Sequence, residues 1–178
     1  MKDEVYESPL GALTLAADVE GLCGAWFEGQ KHFGKAGSAV LVDGEECPVS
    51  AAVEGPEARV HLDAARTWLD RYFTGENPGA LPRLHLIGSP FQQAVWNELV
   101  AIPYGATTTY GAIATKLASH LGRVTSARAV GGAVGRNPVS IIVPCHRVLG
   151  TDRSITGYAG GRDRKRALLR IEDITLAR

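Results

Sequence analysis

The sequence predicts a mixed α/β protein with a small N-terminal antiparallel sheet that carries one helix, and a C-terminal domain that is mostly helical. Short β-forming runs separated by turn residues occupy the first thirty positions, and one amphipathic repeat follows them. A strong helix start at Ser89-Pro90 then opens a series of short helices. We therefore predict two domains, residues 1–86 and 87–178.

Turn residues such as Ser8-Pro9 and Gly21 divide the start of the chain. The runs between them predict three strands, at residues 4–7, 12–17 and 22–27. An acidic, glycine-containing stretch predicts an exposed loop at 30–56 with one short strand at 39–42. Apolar side chains at helical spacing predict a helix over residues 57–73, from Ala65, Trp68, Leu69, Tyr72 and Phe73. We expect a last strand at 84–87.

Capping residues mark the helices of the second part. Ser89 followed by proline and by Gln92 predicts a helix to about residue 101. Thr109 and Ser126 predict two more, over residues 110–121 and 126–135, and the tight turn at Gly122 between them is typical of a helix-turn-helix. A strand-like run at 140–143 and a closing helix at 162–173 complete the prediction.

Charge is divided unequally along the chain, although its formal net charge is zero. Residues 1–88 contain 7 Lys and Arg against 14 Asp and Glu, a net of −7, and residues 89–178 contain 12 against 5, a net of +7. No acidic residue occurs between Leu99 and Thr151. This asymmetry indicates either a polyanion bound by the basic half or an acidic half packed on a basic one.

Composition also excludes several classes of protein. The chain has 178 residues, 45% of them apolar and 21% charged, which is typical of a globular protein. No apolar run is long enough for a membrane helix, and the first residues lack the apolar segment of a signal peptide, so we expect a cytoplasmic protein. Cys23, Cys47 and Cys145 show no disulfide framework and no metal-ligand spacing, so we expect no metal.

Cys145 is the strongest candidate for chemistry. It is followed by His146 and Arg147 in a stretch without carboxylates, and such a setting lowers the pKa of a thiol. We therefore predict a nucleophile; the alternative is a small buried apolar side chain. Adjacent side chains point apart in an extended segment, so His146 would act through a water or from a sharp turn. Among the carboxylates of the C-terminal half, we choose Glu172 as the partner of His146, because it ends the last amphipathic helix; the alternative is an ordinary surface charge.

Several motifs together resemble the O6-alkylguanine-DNA alkyltransferases in order and spacing, without a gap from about Ser89 to Glu172. The motifs are Ile102-Pro103-Tyr104-Gly105, Thr109-Tyr110, Arg128-Ala129-Val130-Gly131-Gly132-Ala133, Arg136-Asn137-Pro138, Ile142-Val143-Pro144-Cys145-His146-Arg147-Val148, Thr156-Gly157-Tyr158-Ala159-Gly160-Gly161, and Leu168-Leu169 with Glu172. The resemblance implies a ribonuclease H-like N-terminal domain and a winged helix-turn-helix-like C-terminal domain. The N-terminal half matches only loosely.

The resemblance also implies an activity and a set of site residues. Such proteins flip an alkylated guanine out of duplex DNA through the minor groove and move the alkyl group irreversibly to their own cysteine, once per molecule and without a cofactor. The relay would be Cys145, water, His146 and Glu172, with Asn137 bracing the turn that presents the cysteine. The base pocket would consist of Tyr110, Ser140, Val148, Tyr158 and Ala159, and the DNA contacts of Ala127, Arg128, Ala129 and Gly131, with Arg128 intercalated.

Some features depart from the family, and other functions compete with this one. Ser140 occupies a position where several members have proline, so sensitivity to bulky free-base inhibitors does not follow. The competing functions are a non-catalytic helix-turn-helix regulator, an alkyltransferase-like lesion binder, which would lack the acceptor cysteine, and a cysteine hydrolase, which would turn over. We expect a monomer that acts on double-stranded DNA containing O6-alkylguanine.

Overall fold

A computed structural model describes residues 2–34, 41–42, 45–46, 56–122 and 124–175. Its N-terminal part contains an antiparallel sheet in the order β1-β2-β3, from Lys2–Ser8, Gly11–Ala17 and Leu22–Phe27. The turn between β1 and β2 is tight, because Ser8 at the end of β1 lies opposite Gly11 at the start of β2. Gly11 permits this turn by adopting a positive φ of 108°. Strands β4, Leu41–Val42, and β5, Glu45–Glu46, form a separate two-residue ladder. The rest of the predicted strand at 39–42 lies outside the described residues.

Helix α1, Pro56–Phe73, packs against all three strands of the first sheet. Its apolar stripe faces them because Leu62, Ala65 and Leu69 recur at the helical period and are fully buried. Near its C-terminal end, the rings of Trp68 and Tyr72 stack with centroids 5.4 Å apart. This end of α1 therefore reaches the interior that both halves of the chain share.

Three helices with side-chain caps form the centre of the second half. Helix α2, Pro90–Val100, starts with a complete capping box, in which Ser89 accepts from the N–H of Gln92 and the side chain of Gln92 accepts from the N–H of Ser89. Helices α3, Tyr110–Leu121, and α4, Ala127–Val134, begin at the caps Thr109 and Ser126. Gly122 ends α3 at a φ of +64° and allows the sharp turn toward α4.

The remaining elements complete the second half of the chain. Strand β6, Thr108–Thr109, pairs in parallel with β7, Val148–Leu149, which follows a short 3-10 helix, Cys145–Arg147. Helix α5, Arg162–Ile171, packs against that 3-10 helix. One continuous apolar core includes residues of β2, α1, α2, α4 and the 3-10 helix. The predicted fold class, a small antiparallel sheet with a helix and a mostly helical second half, is confirmed.

Two predicted strands are absent as strands. The stretch at 84–87 makes a single parallel bridge, between Leu84 and Leu22 of β3, and then leaves the sheet. The run at 140–143 forms a turn in which Ile141 has a φ of +71°, because an amide of Asn137 holds the carbonyl oxygens of Val139 and Val143 together. Across the described part of the chain, no helix has the length and apolar character required to cross a membrane.

Candidate active site

A cavity of about 620 Å³ opens between α4 and the glycine-rich segment that precedes α5. Cys145 lies in its wall and is only 4% exposed. The wall consists of residues from α4, from the start of α3, from the turn after β3 and from the glycine-rich segment. They include Lys31, His32, Tyr110, Ala127, Arg128, Gly131, Arg136, Thr156, Gly157, Tyr158 and Ala159. This volume lies within the range of about 300 to about 1,000 Å³ that is typical of pockets for small organic ligands.

Asn137 builds the turn that carries Cys145. Its amide nitrogen donates to the carbonyl oxygens of Val139 and Val143 and lies 3.0 Å from Sγ of Cys145, while its Oδ1 accepts from the N–H of Val139. A carboxamide suits this position because it supplies donors and an acceptor at once. The side chain therefore fixes both the turn and the orientation of the thiol.

His146 is fully buried behind the thiol. Its Nε2 lies 2.6 Å from Oε1 of Glu172, and the hydroxyl of Tyr72 donates to the same oxygen at 2.8 Å. The 3-10 conformation directs the two adjacent side chains differently from an extended strand, which answers the geometric difficulty of a Cys-His pair. Nδ1 of His146 is buried and has no hydrogen-bond partner among the described residues.

Glu172 accepts a dense set of hydrogen bonds. Nε of Arg147 donates to its Oε2 at 2.8 Å, the N–H of Gly105 donates to the same oxygen at 3.1 Å, and Nη2 of Arg147 donates to Oε1 at 3.1 Å. Arg147 is held in turn by the carbonyl oxygen of Ile102 at 2.7 Å. Burial raises the pKa of Glu172, but the hydrogen bonds from His146 and the charge of Arg147 outweigh it and lower that pKa to about 2.

The electrostatics of the thiol differ from the sequence prediction. Burial raises the pKa of Cys145, although the hydrogen bond from Asn137 and the charge of Lys165 oppose the rise. The expected lowering of this pKa by the basic, carboxylate-free surroundings of Cys145 is therefore wrong, because burial outweighs them and the guanidinium of Arg147 is paired with Glu172. Burial also lowers the pKa of His146, against the effect of Glu172. The resting site therefore favours a neutral thiol and a neutral imidazole.

Lys165 is a site residue that the sequence prediction missed. It is fully buried, its Nζ donates to the carbonyl oxygen of Val148 at 2.5 Å, and it lies 6.0 Å from the centroid of the Tyr110 ring. Burial lowers its pKa to about 8, and the nearby Cys145 opposes that change. Its position in the sequence could have indicated burial, because Lys165 precedes Leu168 and Leu169 by one helical turn on the same face.

The structure brings only some of the predicted base-pocket residues to the cavity. Tyr110, Tyr158 and Ala159 line it. Val148 and Ser140 are not among its lining residues: Val148 is fully buried in β7, and Ser140 is 1% exposed with its hydroxyl directed to Gln30. The side chains of these two residues are therefore buried outside the lining of this cavity, and their contact with a base stays a prediction.

The predicted DNA-contact residues lie together on α4. Ala127, Arg128 and Ala129 are exposed, and Gly131 is half-buried, with the ring of Tyr110 3.7 Å from the position of an added Cβ. Ala127, Arg128 and Gly131 also line the cavity. The exposed face of α4 therefore continues directly into the cavity that contains Cys145.

A buried cysteine backed by a histidine and a glutamate, beside a helix-turn-helix with an exposed second helix, defines a DNA-binding protein with a reactive cysteine. The comparisons with known proteins agree. Residues 1–81 match the family model of the 6-O-methylguanine DNA methyltransferase ribonuclease-like domain, and residues 90–174 match that of its DNA binding domain. The chain belongs to the 6-O-methylguanine DNA methyltransferase family.

Individual relatives support the assignment over most of the chain. A methylated-DNA--protein-cysteine methyltransferase of Methanosarcina acetivorans is 42% identical over 94% of this chain and 96% of its own length. The protein of the same name from Haemophilus influenzae is 40% identical over 95% of this chain and 84% of its own. The crystal structure of Mycobacterium tuberculosis OGT in complex with DNA, 39% identical, superposes with a TM-score of 0.70 over 94% of this chain and 90% of that one. The resemblance noted in the sequence is thus confirmed at the level of the family.

Proposed function

We propose that this protein repairs duplex DNA by moving a methyl or other alkyl group from O6 of guanine to Sγ of Cys145. The observation that carries the proposal is the position of that thiol, in the wall of a cavity that continues from the exposed face of α4, with His146 bonded to Glu172 next to it in the chain. Family membership supports the reaction class, because the relatives are named methylated-DNA--protein-cysteine methyltransferases. The assignment of individual residues rests on the geometry.

Activation begins with removal of the proton from Cys145. The N–H at Nε2 of His146 donates a hydrogen bond to Glu172, which leaves the lone pair of Nδ1 free to accept a proton. A water between Sγ and Nδ1 carries the proton from the thiol to the imidazole, so that no direct contact between the two adjacent side chains is required. Glu172 then stabilises the imidazolium, and its low pKa keeps it ionised throughout.

The transfer itself is a single displacement. The Sγ–carbon bond forms as the bond from the alkyl carbon to O6 breaks, and the electron pair passes to the guanine, which takes up a proton. Asn137, 3.0 Å from Sγ, keeps the thiolate directed at the cavity, and Tyr110 in the cavity wall hydrogen-bonds the base. The product is a thioether that the protein does not hydrolyse, so each molecule acts once.

Access to a base in a duplex requires its extrusion from the stack, which costs a few kcal/mol. The exposed face of α4 supports this step, because its small residues permit close approach to a narrow minor groove and Arg128 projects from the same face. We propose that Arg128 fills the space that the base leaves, while Ala127, Ala129 and Gly131 contact the backbone without reading sequence. The partner is double-stranded DNA with O6-alkylguanine, bound by a monomer.

Intact mass spectrometry tests the proposal. The protein is mixed with an excess of duplex containing one O6-methylguanine, and we expect the mass of one methyl group to be added per chain, located on Cys145 by peptide mapping. Cys145→Ala should show no addition while its salt-dependent affinity for unmodified duplex is retained. Methyl groups on other cysteines, or several methyl groups removed per chain, would contradict it. A strong preference for one DNA sequence would favour a regulator instead.

A further inference from the structure

The turn that follows β3 contacts both the segment that carries the active-site cysteine and the wall of the cavity. We call residues 27–31 the β3 turn. Within it, Oε1 of Gln30 accepts from the N–H of Phe27 at 2.9 Å, and the N–H of Gln30 donates to the carbonyl oxygen of Phe27 at 3.1 Å. The two bonds close the turn on itself, so that the side chain of Gln30, which is 6% exposed, has a fixed position.

Gln30 also reaches into the C-terminal half. The hydroxyl of Ser140 donates to Oε1 of Gln30 at 3.1 Å, across 110 positions of sequence. The backbone beside this contact is fixed by β3, because Ala25 donates to the carbonyl oxygen of Pro138 and accepts from the N–H of Ser140. Gln30 therefore holds from outside the same turn that Asn137 holds from inside.

The β3 turn supports the opposite wall of the cavity as well. The N–H of Lys31 donates to the carbonyl oxygen of Ala159 at 3.1 Å, and Gly160 is confined between the rings of Phe27 and Tyr158. A Cβ at Gly160 would lie 2.8 Å from the Tyr158 ring and 3.1 Å from the Phe27 ring, so no larger residue fits there. The turn thus contacts Ser140 on one side and the segment of Tyr158 and Ala159 on the other.

We infer that Gln30 is a positioning residue of the alkyl-transfer site: through Ser140 it sets the distance between the Cys145 turn and the Tyr158 wall. The inference rests on the proposed function and adds to it a contribution from the N-terminal domain. Gln30 touches neither the thiol nor the cavity space, so its effect is on the orientation of the base relative to Sγ. Displacements of about 1 Å can change the rate of such reactions by about 100-fold.

The test replaces Gln30 by methionine, which keeps the length of the side chain and removes the oxygen acceptor. We expect the rate constant of methyl transfer from saturating methylated duplex to fall by about 10-fold or more. The affinity for unmodified duplex should be retained, because α4 is untouched. The pH profile of Cys145 carbamidomethylation by iodoacetamide, followed by peptide mapping, should also match the parent protein. Gln30→Glu, which keeps an oxygen acceptor, should restore part of the rate.

A double-mutant cycle with Ser140→Ala separates positioning from general destabilisation. If the contact acts as inferred, each single variant slows transfer and the double variant is no slower than the slower single one. Gln92→Met is the matched control, since Gln92 is a buried glutamine that accepts from a backbone N–H and lies outside the cavity wall. It should lower the melting temperature and leave the transfer rate of the folded protein unchanged.

The outcomes distinguish failure of the positioning role of Gln30 from failure of the proposed function. Parent-like transfer by Gln30→Met, multiplicative effects in the cycle, or equal slowing by Gln92→Met would overturn the positioning role. If Gln30→Met does not fold, Ser140→Ala alone decides: slowed transfer with an unchanged thiol profile supports the role, and parent-like transfer overturns it. A parent protein that is not methylated at Cys145 would instead refute the proposed function.

Discussion

The buried relay and the exposed face of α4 lie next to each other and are built in opposite ways. We define the relay as Cys145, His146 and Glu172, all at most 4% exposed, and the exposed face of α4 as Ala127, Arg128 and Ala129. Each relay residue is hydrogen-bonded to a buried side chain: Cys145 accepts from Asn137, and Glu172 accepts from His146 and from Arg147. The residues on α4 instead face solvent.

This difference follows from what each region has to do. Proton transfer requires fixed distances, and buried polar groups provide them because an unpaired partner is costly in a medium of low dielectric constant. Contact with DNA requires small side chains and one long cation that are accessible until the duplex arrives. Substitutions should therefore affect stability and chemistry together in the relay, and only DNA-dependent steps on α4.

Glu172→Gln is the strongest test on the relay side. The substitution keeps the shape of the side chain and removes the charge that stabilises the imidazolium of His146. We expect transfer at pH 7 to slow by about 100-fold or more, because general base catalysis contributes about 10²–10⁴-fold. Part of the loss should be recovered at pH 9, where hydroxide removes the proton of the thiol.

The control for this measurement is Cys145→Ala, which should recover nothing at any pH because the acceptor itself is missing. If the transfer rate of Glu172→Gln depended on pH in the same way as that of the parent protein, Glu172 would be only a structural carboxylate. In that case His146 would have to act without it.

Acid should destabilise the protein through the same group. The pKa of Glu172 is about 2 in the folded protein and near 4.5 ordinarily, so its contribution to stability is fully present above about pH 5 and is lost as the pH falls toward 2. His146 acts in the same direction, because burial lowers its pKa and the unfolded state binds its proton more readily. Urea unfolding at a series of pH values should show that the free energy of unfolding falls with pH below about pH 5. In Glu172→Gln this dependence on pH should be weaker. An equal slope in both proteins would contradict the assignment.

Arg128→Ala tests the exposed face of α4. The side chain is exposed and caps no helix, so we expect the melting temperature and the iodoacetamide profile of Cys145 to be unchanged. Repair of methylated duplex should slow by about 10-fold or more, since the extruded base leaves an unstacked gap that costs a few kcal/mol. Reaction with a free O6-alkylguanine base, which leaves no gap, is the internal control. Equal slowing with both substrates would place Arg128 in the chemistry rather than in base extrusion.

Local signals in the sequence predicted the helices well. Ser89, Thr109 and Ser126 mark the helix starts within one residue, because a capping side chain acts on a backbone N–H only two or three positions away. The predicted strands at 84–87 and 140–143 were wrong for two different reasons: Leu84 makes a single bridge to the distant Leu22, and the side chain of Asn137, only a few positions away, closes the turn around Ile141. Apolar runs alone do not distinguish these cases.

The candidate site was also predicted only in part from the sequence. The motif around Cys145 predicted the family, and the structure places Glu172 2.6 Å from Nε2 of His146. The charges were harder to predict, because proximity in sequence to Arg147 indicated a lowered thiol pKa while burial raises it. Lys165 and Gln30 were missed, since each acts on the site from a distant position in the chain.

The smallest expected effect is that of removing the helix cap at the start of α4. It tests whether the position of α4 matters for DNA contact apart from its contribution to stability. Ser126 accepts from the N–H of Ala129 at 3.1 Å, and this cap supports a helix of eight residues that contains two glycines. Ser126→Ala should lower the free energy of unfolding by about 1 kcal/mol and weaken duplex binding slightly, because fraying displaces Arg128. Ser89→Ala removes the same kind of cap from α2, so it should destabilise the protein similarly and leave duplex affinity unchanged. Urea unfolding and salt-matched binding titrations of both variants measure this. Equal losses of affinity would mean that the start of α4 has no special role in DNA contact, and that global stability alone controls binding.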